Sequence, residues 1–530
     1  MPTRFDQVKV SIVLTAPGAD PALTACVRSA LEQDHPAVEV VVVEGGGPET
    51  RWADLLESDR VRHLPGKFIN LAAMYDAGIA AAGGEYVLLI YGDARRIELR
   101  RSAVQTLVMA AVRGDVPAGM VYADYERIEA DGSTKDIHLL DWHPGRTRQE
   151  ADFGPAVLFS AAALADVGGL DESLSVAYAY DLRLKIGERH RIVHVANRFA
   201  GSLYAVTTPA KAHNVFDYLL ADRQAQIEFE QVFTGHLKRR GAYLEPGAFV
   251  RAVRYDADEQ RRFAECVASV VIPVHDRPGF IGQAIESVQA QTVRNVEVIV
   301  VVNGGGKDAT CQQVERYLPG GDRHKPDGPG VELLVVDLNN LGLCLNAGIS
   351  RARGRYYVQL DSDDLLKPQA IEKLLQVFES DDTIGMVIGA YEVWNLNEQT
   401  GERVRDQGVP VVAHDEWTAD NGRNNLLRVG GAGAPRSAPI KVIAEVGWFG
   451  VNDGAHCRNY GEDYDLVLRI SEQYRIGRVT EPIYEVIRHS GGTDHNIDQA
   501  TIDRNDEAKD AMRLEALRRR RRLNGLPADG

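Results

Sequence analysis

At 530 residues, 44% of them hydrophobic and 26% charged, the chain is long enough for two or three domains with their own cores and too mixed in composition to be disordered. Its formal net charge of -16 excludes broad electrostatic binding to nucleic acid, so an anionic substrate needs a local cation. Five cysteines (Cys26, Cys266, Cys311, Cys344, Cys457) form no CxxC pair, which excludes a disulfide framework or zinc ribbon and fits a reducing cytoplasm.

The first residues lack the charged, apolar and small-residue pattern of a secretory signal, and no apolar run approaches a membrane-spanning length. Any membrane contact is therefore expected to be peripheral. The first element is a β-branched run, Val10 to Leu14, followed by a helical stretch and a second run, Val38 to Val43. Strands buried on both faces read as unbroken apolar runs, so this is a βαβ unit of a parallel sheet. From Asn70, NLAAMYDAGIAAAGGEYVLLIYGDAR adds a helix and a strand that delivers polar residues at its carboxyl end, the end where open α/β sheets bind ligands. Residues near 210 to 262 have helical spacing and end at Pro246-Gly247 and beyond, predicting a helical connector.

The pattern then starts again roughly 260 residues later, with Val270 to Val274, Val296 to Val302 and NLGLCLNAGISRARGRYYVQLDSDD from Asn340. GGLDESLSVAYAYDLRLKI in the first half matches VGWFGVNDGAHCRNYGEDYDLVLRI in the second. The chain is thus a tandem duplication of an α/β doubly wound sheet. The expected organisation is a first domain over 1–206, a helical connector over 207–264, a second domain over 265–495 and a charged helical tail over 496–530. The tail ends in LRRRRRLNG, which reads either as a solvated helix or as a basic surface for acidic lipid headgroups.

The second half carries the candidate chemistry. Asp361, Asp363 and Asp364 directly follow the apolar strand Tyr356 to Leu360, where carboxylates can grip Mg or Mn and leave positions for phosphate oxygens. Helix capping is the alternative. Glu462 and Asp463 open an amphipathic helix; Asp463 is the candidate base for an acceptor hydroxyl, with Glu462 and Asp364 in support, although acidity at a helix start is favourable in itself. His489 can complete a metal shell or be structural. Asn303 precedes three glycines, a pattern that suits either close approach of a nucleotide or a tight turn.

In their order and approximate spacing, SVVIPVHDR, ESVQAQT, VEVIVVVNGGGKDAT, NLGLCLNAGISRARGRYYVQLDSDD and GEDYDLVLR resemble a family 2 glycosyltransferase with the GT-A fold, over almost all of residues 265–495. The resemblance implies that Pro273, Val274 and His275 line a nucleobase pocket with Asn303 beside the base. It makes Asp361 and Asp363 the ends of a DxD motif, Asp363 on the metal and Asp361 nearer the ribose or sugar. Asp463 matches the family's catalytic base and His489 its late metal-shell histidine. Also implied are a nucleotide-sugar donor of UDP or dTDP type, a glycan or lipid-linked acceptor, inversion at the anomeric carbon by one in-line displacement, a divalent metal, and a place in cell-surface polysaccharide synthesis. The family often carries an acidic pair where this chain has Val302-Asn303, which leaves the base identity open.

By the same alignment the first half keeps the scaffold and loses the chemistry. Tyr91 and Asp93 stand at the positions of Asp361 and Asp363, Ala179 at that of Asp463 and Tyr204 at that of His489, while Glu44 to Gly47 remain for ligand binding. A bifunctional two-site polymerase and a non-catalytic sugar-nucleotide or glycan-binding protein are the alternatives. A sugar-nucleotide pyrophosphorylase is disfavoured, because Pro273 to Gly279 is not a glycine-rich basic loop for a triphosphate.

Overall fold

Ser11 and Ser269 occupy the same place in the two halves and are held in the same way. Each is fully buried on the first strand of its copy, so its hydroxyl needs a partner. Ser11 Oγ donates to Glu39 at 2.5 Å and accepts from Gly84 N–H at 2.9 Å. Ser269 Oγ donates to Glu297 at 2.6 Å and accepts from Gly354 N–H at 2.9 Å. Gln33 and Gln291 repeat a second device, each amide spanning from its own helix (Ser29 O, Ser287 O) to the residue just after a short strand, Ile97–Leu99 or Leu365–Leu366 (Arg100 O, Lys367 O). Asn70 and Asn340 each cap a helix through the third following amide at 2.9 Å. The duplication is therefore physical as well as textual.

The structure is a computed structural model that describes residues 4–16, 23–45, 58–92, 96–197, 201–207, 223–415, 418–431, 433–454, 460–491 and 498–529. Asp93, Gly46, Gly47 and Cys457 lie outside the described residues. The chain forms two compact units, Met1–Asp217 with Arg223–His236, and Tyr218–Asp222 with Leu237–Gly530. Helices run over Arg223–Arg239 and Ala257–Glu265.

In the first unit the main sheet has the order Ile192–Val195, Met120–Ala123, Ala156–Ser160, Tyr86–Ile90, Val10–Ala16, Val38–Gly45 and Val61–Gly66. The second unit repeats the centre of this order with Gly330–Val335, Val296–Val302, Ala268–Val274, Tyr356–Gln359, Arg436–Pro439, Ile384–Leu396, Arg475–Arg488 and Leu365–Leu366. Ala268–Val274 and Val296–Val302 are buried at every residue, as strands sandwiched between helices must be. Strand order reverses beside Ala268–Val274, because the chain moves outward to Val296–Val302 and Gly330–Val335, then returns to the other side with Tyr356–Gln359. That reversal opens a crevice at the strands' carboxyl ends. The α/β, doubly wound, tandem expectation holds.

The terminal helix Gln499–Leu523 differs from a basic outer face. Arg513 and Arg520 are fully buried; Arg513 pairs with Asp510 at 2.8 Å, and Arg520 donates to Arg423 O at 2.6 Å and Ser471 Oγ at 3.0 Å. Arg519 pairs with Glu472 at 2.8 Å. Arg513, Arg519 and Arg520 bind the helix to its own unit, since buried carbonyls and carboxylates there need donors. No described helix is long and apolar enough to cross a membrane.

Candidate active site

The strand Tyr356–Gln359 delivers Leu360 to the core and then releases the chain into the crevice as Asp361-Ser362-Asp363-Asp364. Asp361 is fixed from two sides: Gln359 Nε2 donates to its Oδ1 at 3.1 Å, and its own N–H donates to Tyr484 Oη at 3.1 Å. Burial pushes its carboxyl above the usual range, against the pull of Arg436. Asp364 is buried and accepts the Ile487 N–H at 2.8 Å, so it ties the acidic turn to the last strand two residues before His489. Burial raises it well above the ordinary carboxyl range.

That tie brings Asp363 and His489 together, with Nε2 and Oδ2 3.0 Å apart. The imidazole stacks on Phe280 at 4.3 Å between centroids, and Arg277 Nε lies 3.8 Å from the same carboxylate oxygen. Gly491 N–H donates to His489 Nδ1 at 3.2 Å, which favours the tautomer whose proton sits on Nε2 and points at Asp363. A cleft of about 780 Å³ opens here, bounded by Arg277, Phe280, Asp363, Glu398 and His489 among others. Among the described residues no group of three or more His, Cys, Asp or Glu side chains is placed to hold a metal. One oxygen and one nitrogen donor side by side still fit a hard ion that takes its remaining ligands from water and a diphosphate.

The helix Glu462–Gln473 starts after Gly461, whose φ of 82° suits only glycine without strain. Its first turn presents Asp463, and Arg436 Nη2 lies 3.0 Å from Asp463 Oδ2. Arg436 Nε reaches Gln359 Oε1 at 3.4 Å, the same amide whose nitrogen holds Asp361. Asp361, Gln359, Arg436 and Asp463 thus form one continuous polar chain. Glu462 is buried beside it, and burial followed by the charge of Asp463 pushes its carboxyl up to about 7.

The nucleotide end is built by two neighbouring strands. Pro273 pairs with Val301 and Val274 with Val302, and Asn303 N–H donates to Val274 O at 2.9 Å. Asn303 is buried and gives its amide nitrogen to Asn339 at 3.3 Å, while its Oδ1 has no protein partner. His275 is exposed at the end of the first strand. Asp308 accepts the N–H groups of Asp276 and Thr310, both at 2.8 Å, and a Cβ on Gly304 would meet its Oδ2 at 2.5 Å. With Gly305 at φ 75°, the glycines serve this clamped turn.

Sequence reasoning named Asp361, Asp363, Asp463 and His489, and the fold gathers all four in the second unit. It missed Arg436, Gln359, Tyr484 and Phe280: Gln359 lies inside RYYVQLDSDD and Tyr484 five residues before His489, where the acidic and histidine side chains drew the reading, and Arg436 lies in GAPRSAP, a stretch with only turn character.

In the first unit the corresponding place is filled by rings. Tyr91 packs at 5.4 Å from Tyr75, 6.3 Å from Tyr178 and 6.5 Å from Phe159, with its hydroxyl buried and unpartnered. Tyr204 is fully buried and stacks on Tyr125 at 5.5 Å. Glu44, far from open to a ligand, is buried and bonded to His63 at 2.7 Å.

Residues 11–130 and 269–428, more than half of the chain, match the family model of glycosyl transferase family 2. The chain belongs to that family. Each family 2 match falls on one copy of the repeat. An uncharacterized glycosyltransferase of Rickettsia felis is 23% identical over 531 residues, covering 92% of this chain and 81% of its own length. The chondroitin synthase of Pasteurella multocida is 26% identical over 228 residues, 43% of this chain and 21% of that enzyme. Among solved structures, S. aureus TarS in complex with UDP-GlcNAc gives a TM-score of 0.34 at 17% identity, over 44% of this chain and 61% of that one. The mannosyltransferase PcManGT of Pyrobaculum calidifontis in complex with GDP-Man and Mn2+ gives 0.33 at 14%, over 59% and 84%.

Proposed function

We propose that the second unit is an inverting, metal-dependent glycosyltransferase that moves a sugar from a nucleotide-diphosphate donor to a hydroxyl of a glycan or lipid-linked acceptor, in cell-surface polysaccharide synthesis. The observation that carries this reading is the convergence, at one crevice mouth, of the Asp363–His489 pair with the polar chain that ends in Asp463. The family 2 membership supplies the reaction class. Similarity to a chondroitin synthase favours a glycan acceptor.

Asn303 offers its free Oδ1 to a base or ribose N–H or O–H, beside the Pro273-Val274-His275 strand end. Asp361, pinned by Gln359 and Tyr484, accepts a ribose or sugar hydroxyl. Asp363, with His489 once its proton is on Nδ1, would hold Mn or Mg, which supplies neutralisation of the departing diphosphate worth several kcal/mol as an order of magnitude. Asp463 takes the proton of the acceptor hydroxyl as its oxygen attacks the anomeric carbon, and general-base help of this kind is worth roughly 10²- to 10⁴-fold. Attack opposite the leaving group inverts the configuration.

The first unit acts in support or in binding. Its ring-filled site leaves neither a carboxylate base nor an opening for a diphosphate among the described residues. That argues against the two-site polymerase. The test is hydrolysis of a panel of UDP-, dTDP- and GDP-sugars by the full chain with MnCl2, where at least one is expected to be cleaved and cleavage is lost in Asp463→Asn. A panel left intact by the wild type overturns the assignment.

A further inference from the structure

We infer that Arg436 is the positioning residue of this site, the cation that pairs with Asp463 and aims it; the inference rests on Asp463 being the base. Two independent observations carry it.

The first is geometry. The Arg436 side chain is 13% exposed and approaches Asp463 Oδ2 at 3.0 Å with one nitrogen and Gln359 Oε1 at 3.4 Å with another. A planar guanidinium can hold two partners in fixed directions at once, which an ammonium cannot. Its strand is rigid: Ser437 Oγ donates to Tyr357 O at 2.7 Å, and the strand is paired on both sides. The groups facing Arg436 include Asp361 and Tyr357 from the strand Tyr356–Gln359 and its end, Tyr484 from the last strand, and Asp463 with Glu462 from the helix start. Three of these are carboxyls at close quarters, and Arg436 is their shared counter-charge. Without it, Asp463 stands next to Glu462 with no counter-charge, and its carboxylate is free to turn away from the acceptor.

The second is the internal repeat. Leu89 pairs with Val157 in the first unit, and one step along the equivalent ladder from Val358–Ser437 stand Gln359 and Arg436. Leu89, Tyr91, Val157 and Ala179 therefore hold the places of Gln359, Asp361, Arg436 and Asp463. All four members of the polar chain are absent together from a copy that retains the serine, glutamine and asparagine devices of the scaffold. The sheet forms without an arginine at this position, so the fold does not require it; the carboxylates do.

The test uses the full chain without ligand. Melting temperatures of wild type, Arg436→Met, Arg436→Lys and the double variant Arg436→Met with Asp463→Asn are compared from pH 3 to pH 8.5. The pair with Asp463 exists only where the carboxylate is ionised, so the loss of Arg436 costs little at pH 3, below the ordinary carboxyl range, and about 5 °C or more at pH 8. Asp463→Asn in the same chain suppresses most of that loss, and Arg436→Lys loses about half as much. In turnover, Arg436→Met lowers kcat by about tenfold or more while donor KM stays within a few-fold, and Arg436→Lys restores part of kcat. A melting deficit equal at all pH values, or one untouched by Asp463→Asn, overturns the inference. Failure of the parent reading looks different, as a pH-dependent melting difference with no sugar nucleotide cleaved by wild type.

Discussion

His489 Nε2 lies 3.0 Å from Asp363 Oδ2 across 126 residues of chain, and Phe280 lies flat against the imidazole. If this pair is the protein's share of a metal shell, Asp363→Ala removes the Mn2+-dependent part of UDP binding. His489→Ala weakens it, and Phe280→Ala, which only frees the ring to turn, weakens it by roughly tenfold. Calorimetric titration of UDP with and without MnCl2 checks all three. An unchanged Mn2+ response in Asp363→Ala rejects the pair as ligands.

For Asp463, the expectation is a split between chemistry and binding. Asp463→Asn keeps the side chain's shape, so donor affinity stays within a few-fold while transfer falls by about 10²-fold or more. Single-turnover assays with the donor identified by the hydrolysis panel measure both. Normal turnover by this variant removes Asp463 as base.

Glu462 gives a pH prediction with a definite sign. Its folded-state carboxyl is raised from the ordinary 4.5 to about 7 by burial and by Asp463. Below pH 4.5 both folded and unfolded chains keep the proton. Between 4.5 and 7 the unfolded chain loses it first, so the wild type loses stability as pH rises, and above 7 the loss is complete. Glu462→Gln lacks this titration, so its melting temperature gains on wild type across that window and then levels off. A difference that is flat from pH 4.5 to 8 counts against the raised carboxyl.

In the first unit, Tyr91 buries a hydroxyl without a partner. Removing that group relieves an unmet hydrogen bond, so Tyr91→Phe is expected to be neutral or stabilising by about 1 kcal/mol. Tyr91→Ala should cost about 3 kcal/mol or more through the cavity it leaves among Tyr75, Tyr178 and Phe159. Denaturant unfolding reads the stabilities. Sugar transfer by Tyr91→Phe stays at the wild-type rate, and a large loss of turnover there reinstates the first unit as catalytic.

The sequence by itself determined the duplicated scaffold. Unbroken apolar runs such as Val296 to Val302 read as strands covered on both faces, and the structure bears this out with every residue of that run buried. It also exposed Asp361, Asp363 and Asp463, because acidic residues at a strand end or a helix start stand out against apolar neighbours. Only the tertiary structure decided what surrounds them. Arg436 comes from a segment without motif or periodicity, and its meeting with Asp463 and Gln359 depends on an antiparallel strand returning to the sheet at one register. Arg520 reads as part of a basic run, yet it and Arg513 point into the protein, because only packing against Val429, Ser471 and Arg423 sets which face of a helix is inside. Composition and spacing report what a residue is able to do; which partner satisfies its charge is fixed by contacts between parts of the chain far apart in sequence.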